Sequence, residues 1–202
     1  MCSSDLPAHP MPPLDLRHRG TLQDVEVVSM VGGLGFEVAD RQASRALAGL
    51  REAGVHAQAE RVPVPAHLSK GGHVLIVSSF ERTRAGHGAV GGRERTPEQT
   101  AEDAVRGFRD HLARGAAVDR HLGDQLLLPA AILAAGLVPP PPGVVPATRY
   151  TVAAVTKHLT TNAEVIRRFL DVDVSIVGRE EEEGEVRVQP PGGGAEVMPL
   201  QR

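Results

Sequence analysis

A chain of 202 residues with 41% hydrophobic and 23% charged side chains has enough apolar surface for one ordinary domain or two small ones. Its formal charge of -3 excludes nucleic-acid binding by wholesale phosphate neutralisation, so any RNA must be handled at a local site. No apolar run reaches membrane-spanning length, and the lone Cys2 excludes a disulfide within the chain, so no membrane partner and a cytoplasmic setting are expected.

With 2% aromatics and no tryptophan, the core has to come from Val, Leu, Ile and Ala. Residues 1–13 show no periodicity and end on Pro10-Met11-Pro12-Pro13; a disordered start, a cloning scar or the ragged edge of a truncated gene is expected, the last being favoured. From Leu14 to Val31 the pattern gives a strand, a turn at Arg19-Gly20, and a second strand through the β-branched Val25-Glu26-Val27-Val28. Gly32-Gly33-Leu34-Gly35 breaks it. Ala39, Ala43, Ala46, Leu47 and Leu50 then recur at three- and four-residue spacing, which predicts a helix over 36–52 with one buried stripe. Arg51 suits its last turn, and Gly54 stands where a C′ residue with positive φ is wanted. His56 to Val64 and His73 to Phe80 read as strands, while Gly86 to Gly92 offers a short strand at most. Thr96-Pro97-Glu98-Gln99 supplies a capping hydroxyl, a proline at N1 and a Gln at N3 for a second helix, striped by Ala101, Val105, Phe108 and Leu112 and ended at Gly115. Residues 18–116 thus predict a small open-faced α/β sandwich of about four strands and two helices, followed by a short linker, 116–120.

The stretch 121–170 is the densest in polar residues suited to chemistry. His121, Asp124 and Gln125, at i, i+3 and i+4, share one face of a single helical turn, with Leu122, Leu126 and Leu133 free to face a core. An imidazole, a carboxylate and an amide so placed can stack on a base, hold a metal's water shell or bind a phosphate or ribose oxygen; a plain solvated helix face fits the same pattern. His158 precedes Thr161-Asn162-Ala163-Glu164, read as a capping box for a helix buried along Val165, Ile166 and Phe169. The imidazole is then expected just outside a helix N-terminus, where an anion is favoured, and a neutral imidazole is a nucleophile without an activating base. A surface or structural histidine satisfies that pattern too. His9, His18, His56, His67, His73, His87 and His111 form no pair at metal-ligand spacing. Gly32-Gly33-x-Gly35 lacks the Lys-Ser/Thr of a phosphate loop, and Gly91-Gly92-Arg93 reads as a plain turn. Lys157, Arg167 and Arg168 could meet phosphates, the arginines more naturally being surface residues, and Glu180 to Glu183 reads as a solvated hairpin tip.

Two of these segments carry a resemblance. Arg120-His121-Leu122-Gly123-Asp124-Gln125-Leu126-Leu127-Leu128-Pro129, followed by His158-Leu159-Thr160-Thr161-Asn162-Ala163-Glu164-Val165-Ile166-Arg167-Arg168-Phe169-Leu170, resembles the C-terminal part of the RNA 3′-terminal phosphate cyclase family. Val38-Ala39-Asp40-Arg41-Gln42 and Leu112 to Val118 are similar to that family's inserted small domain and its exit. The fold implied is α+β: the last α/β repeat unit of a cyclase (EPSP-synthase/cyclase-like) domain carrying a small inserted α/β sandwich. The divisions implied are 1–17 as a disordered start and the end of a preceding cyclase-domain unit, 18–116 as the insert, 117–189 as the C-terminal cyclase-domain unit and 190–202 as a disordered tail.

The activity implied is ATP-dependent conversion of an RNA 3′-terminal phosphate to a 2′,3′-cyclic phosphate. His158 matches the histidine that becomes histidyl-AMP, His121 the ring stacked on adenine, and Leu122, Gly123, Asp124 and Gln125 the rest of the nucleotide segment. Gly123 replaces the family's usual alanine. The implied cofactors are ATP and a divalent metal, Mg2+ or Mn2+, its ligands unassigned, and the implied partners are RNA 3′-phosphate ends. The family's N-terminal half has no counterpart here, so the chain is expected to be a fragment inactive alone. Leu137 to Arg149, with Pro139 to Pro142, reads as an added loop. A non-catalytic cyclase-like RNA-processing module is the alternative, with a solo sandwich acting as a protein-binding domain behind it.

Overall fold

The structure is a computed structural model and describes residues 10–65 and 70–192. Its elements run β1 (Asp15–Leu16), β2 (Leu22–Gly32), α1 (Phe36–Glu52), β3 (Gln58–Pro63), β4 (Gly71–Phe80), β5 (Arg84–Val90), α2 (Pro97–Ala113), α3 (Leu122–Gln125), α4 (Leu127–Ala134), β6 (Thr148–Val152), α5 (Lys157–Phe169), β7 (Asp173–Gly178) and β8 (Gly184–Gln189). The fold is α+β, and the chain divides into two compact units, Arg19–Gly115 and the remainder on either side of it.

In the Arg19–Gly115 unit the sheet order is β3-β2-β4-β5. β2 and β3 are parallel, which requires a crossover, and α1 is that crossover. β4 pairs antiparallel with β2 on one side and with β5 on the other. Val25, Val27 and Val31 of β2 and Val74, Ile76 and Phe80 of β4 alternate inward. They meet Ala39, Ala43, Ala46 and Leu50 of α1 and Ala101, Ala104, Val105 and Phe108 of α2, also buried. Both helices are fixed by their ends. Thr96 Oγ1 accepts from the Gln99 N–H at 3.2 Å while Gln99 Oε1 accepts from the Thr96 N–H at 2.9 Å, a full capping box. At the end of α1, Gly54 takes φ +74°, its N–H bonding Arg51 O and that of Val55 bonding Leu50 O, the paired closure of a Schellman motif. β5 is a fuller strand than its glycines suggested: Gly86 and Gly88 stand opposite Val77 and Leu75 of β4, so pairing along β4 overrides their low strand propensity.

The second unit has the sheet order β1-β6-β8-β7, with β1 parallel to β6 and the other pairs antiparallel. α4 and α5 cover it with Leu127, Ala131, Leu159, Ala163 and Ile166, against Tyr150, Val152, Val186 and Val188. Residues 116–120 are not a passive linker. Ala116 to Asp119 are buried, and Val118 is bridged to β6 by its N–H to Thr151 O at 3.0 Å and its C=O from the Ala153 N–H at 2.8 Å. Thr148 and Arg149, expected in an added loop, open β6, which lies between β1 and β8. The Met11 N–H donates to Pro139 O at 3.0 Å, so part of the stretch expected as a disordered start packs on that loop. Residues 1–9 and 193–202, with His9, and residues 66–69, with His67, lie outside the described residues.

Candidate functional site

The 121–125 turn forms because a buried carboxylate starts it. Asp119, 6% exposed, accepts from the His121 and Leu122 N–H groups at 2.8 and 2.9 Å through one oxygen, and its own carbonyl accepts from the Gly123 N–H at 3.1 Å. That is an N-cap in all but the bounds of α3. His121 and Gln125 are exposed, Leu122 and Asp124 half-buried, and Gly123 is buried against β6. Leu122 and Leu126 pack on the core, and Leu133 is buried in α4, as the apolar spacing required.

The second segment begins earlier than the sequence suggested. Thr156 caps α5, its Oγ1 accepting from the Leu159 N–H at 3.2 Å, so Thr161 to Glu164 lie inside the helix and form no capping box. Thr156 has Leu at N3, without the Glu or Gln that makes a cap legible. His158 is therefore the second residue of α5 and exposed, not a residue outside the helix. The earlier start also resets the buried stripe to Leu159, Ala163 and Ile166, while Val165 and Phe169 are 45% and 82% exposed. The amides of Lys157 and His158 have no helical carbonyl to bond, so the donors of the first turn lie beside the imidazole.

The structure brings the two segments together. The Asn162 side-chain amide donates to Asp124 Oδ1, tying α5 to the turn. Asn162 lies four residues after His158, so the two share a face of α5. Two cations flank this region, and the β7–β8 tip holds both. Arg120, next to His121, pairs with Glu181 at 3.0 Å, and Lys157, next to His158, pairs with Glu180 at 3.5 Å. The tip is exposed, as expected, yet it is bonded to Val155, in the segment between β6 and α5: the Glu181 N–H to Val155 O at 2.9 Å, and the Val155 N–H to Glu182 O at 2.8 Å. Arg167 donates to Val174 O at 2.7 Å and so anchors α5 to β7, while Arg168 is exposed.

Sequence reasoning missed Asp119, Tyr150 and Asn162. Tyr150 is fully buried in β6, and its hydroxyl donates to Gly123 O at 2.8 Å. Burial, and then the charge of Asp124, push the Tyr150 phenol up. Asp119, two residues before His121, had the spacing of a capping carboxylate, the one signal the sequence offered. Elsewhere, the Gly91 N–H is taken by Gly72 O at 2.8 Å and His87 and His111 are buried with ring centroids 5.2 Å apart. Among the described residues, no three His, Cys, Asp or Glu side chains converge to hold a metal ion, and no helix is long and apolar enough to cross a membrane.

A unit built of a four-stranded sheet and two helices, interrupting the sequence of a second α+β unit, defines a protein with an inserted domain. Residues 17–113 match the family model of the RNA 3′-terminal phosphate cyclase (RTC) insert domain. The chain is 35% identical over 156 residues to the RNA 3′-terminal phosphate cyclase of Methylococcus capsulatus, covering 77% of this chain and 40% of that protein. To the proteins of that name in Methanopyrus kandleri and Saccharolobus solfataricus it is 33% and 31% identical, covering 92% and 79% of this chain and 51% and 44% of theirs. The chain belongs to the RNA 3′-terminal phosphate cyclase family. It spans between 40% and 51% of the length of these relatives.

Proposed function

We propose that this chain is the nucleotide-handling portion of an ATP-dependent RNA 3′-terminal phosphate cyclase, with His158 as the nucleophile. The observation that carries the reading is the Asp124–Asn162 hydrogen bond, which sets the 121–125 turn against the α5 face bearing His158. The exposed His158 imidazole attacks the α-phosphorus of ATP, forming a P–N bond as pyrophosphate leaves. AMP passes from His158 to an oxygen of an RNA 3′-phosphate, and the neighbouring 2′-hydroxyl then closes the 2′,3′-cyclic phosphate and expels AMP. The first-turn amides of α5 and the Lys157 ammonium face the developing negative charge, a placement that favours anions.

His121 stacks on the adenine, and Leu122 to Gln125 line the nucleoside. Arg120 and Lys157 can turn from their exposed glutamate partners to phosphates, because pairs so open to solvent contribute little. A divalent ion, Mg2+ or Mn2+, is assigned no ligand in this chain, and the residues described here do not gather a set for one. The Leu137–Arg149 segment begins as a loop and ends in β6, leading from α4 to the strand before α5, and is assigned no role in the chemistry. The chain alone is expected to be inactive, since it spans two fifths to one half of its relatives.

The test is adenylylation. The chain, fused to the part of the Methylococcus capsulatus relative that it does not span, is incubated with α-labelled ATP and Mg2+ or Mn2+. A label that is acid-labile, alkali-stable and located on His158 by peptide mass spectrometry is expected, and His158→Ala should lose it. An unlabelled fusion that still binds RNA would instead favour the non-catalytic module.

A further inference from the structure

A turn of four helical residues cannot stabilise itself, because nucleation fixes several dihedrals for a single hydrogen bond. The shape of 121–125 is therefore imposed from outside, and β6 imposes much of it. Tyr150 is the one tyrosine of the chain, stands between β1 and β8, and has no exposed surface. Its hydroxyl reaches the carbonyl of Gly123, in the middle of the turn, at 2.8 Å. Val152, two residues further along the same strand face, closes in beside it: a Cβ on Gly123 would lie 2.6 Å from Val152 Cγ1. β6 thus offers the turn one hydrogen-bond donor and one steric stop. The phenol stays protonated because burial, and then Asp124, favour its neutral form, so the donor is present at any working pH. A phenylalanine ring would fill the same space, so packing alone does not call for the hydroxyl.

We propose that Tyr150 is a positioning residue for nucleotide binding: by holding the Gly123 carbonyl it sets the distance of the 121–125 turn from β6, and hence the placement of His121 and Asp124 against the base and ribose. This rests on the reading of that turn as nucleotide-facing. Gly123 is the complement of this arrangement. Without a Cβ, it lets the backbone come down to the Tyr150 hydroxyl beside Val152.

Two measurements on Tyr150→Phe test it. Amide hydrogen exchange on the chain itself should show residues 122–126 exchanging roughly ten-fold faster, as expected for loss of a buried hydrogen bond, with the α5 amides unchanged. In the adenylylating fusion, KM for ATP should rise about ten-fold while kcat changes by less than about two-fold, the pattern of lost ground-state positioning. Gly123→Ala should raise KM likewise, and Gly123→Ala with Val152→Ala should return most of it, since the second change removes the stop. Unaltered exchange in 122–126, or faster exchange with an unaltered KM, overturns the proposal. Absence of adduct in the unmutated fusion overturns the nucleotide reading instead, and is told apart because no variant is then needed to see it.

Discussion

Removing the Asp119 carboxylate is the sharpest test of how the turn is built. Asp119→Ala deletes an acceptor of two amide bonds, of 2.8 and 2.9 Å, at a site only 6% exposed. Loss of an N-cap of this kind costs about 1–2 kcal/mol. Leaving buried amides unsatisfied adds to that, since each such donor costs about 1–3 kcal/mol, while releasing a buried charge from its desolvation offsets part of the sum. About 2 kcal/mol is the expected net loss, which for a unit of this size lowers Tm by about 10 °C. The assay is built into the sequence: Tyr150 is the one tyrosine and there is no tryptophan, so tyrosine fluorescence reports the unit that contains Asp119 and not the insert. Asp119→Asn, which keeps an acceptor oxygen, should recover more than half of the loss. An Asp119→Ala transition displaced by less than about 0.5 kcal/mol, or an Asn variant no better than Ala, would refute the capping role.

Other outcomes follow from the same structure. Gly54→Ala should destabilise the insert by about 1 kcal/mol in urea denaturation: nothing lies within 4 Å of the added Cβ, so the cost is the φ of +74° alone. Leu159→Ala should cost about 2–5 kcal/mol by the tyrosine signal, whereas Phe169→Ser, at a side chain 82% exposed, should leave the transition within about 0.5 kcal/mol. The Arg41 guanidinium, hydrogen-bonded to Glu98 at 2.7 Å, holds that carboxyl below its ordinary value. A depressed folded pKa contributes stability above the unfolded value and loses it as pH falls through the folded one, so the contribution should vanish on the acid side of about 4.5. NMR titration of Glu98 should show its midpoint moving up in Arg41→Ala.

The elements that could be read from the sequence are those whose own residues determine them. α1 and α2 bury one regular stripe each and carry their stop and start signals locally, at Gly54 and Thr96, so their predicted extents match. α4 gave no such signal: Leu127 to Ala134 is apolar nearly all round, with Pro129 in the first turn, so periodicity had nothing to register. β6 was hidden behind the prolines of 139–142, although Tyr150, Thr151 and Val152 are strong strand formers. The start of α5 was misplaced because Thr161-x-x-Glu164 carries the capping pattern while Thr156 does the capping. A buried threonine anchored by its neighbours wins over a better motif in mid-helix, and the shift moved His158 into the first turn and Phe169 out to solvent.

The candidate site was legible as residue types and illegible as an arrangement, for one physical reason. Apart from Asp119, which caps the turn from two residues away, its supports join segments far apart in sequence. Tyr150 reaches back to Gly123, Asn162 to Asp124, and Glu181 to Arg120. None of the three partners is set by helical or strand spacing, so no periodicity encodes them. His121, Asp124 and His158 stand out as side chains suited to chemistry, although a solvated helix face or a structural histidine fits the same spacing. The residues that aim them look like an ordinary strand tyrosine, a mid-helix amide and a hairpin acid. The turn and α5 are therefore coupled through side chains that a sequence reading passes over. Substituting Asn162 should disturb the 121–125 turn although it lies 37 residues beyond Gln125 in the chain. In Asn162→Ala, faster amide exchange in 122–126 with the turns of α5 beyond Ala163 unchanged is the expected result; a turn indifferent to that substitution would mean the two segments are held apart by the scaffold and only touch.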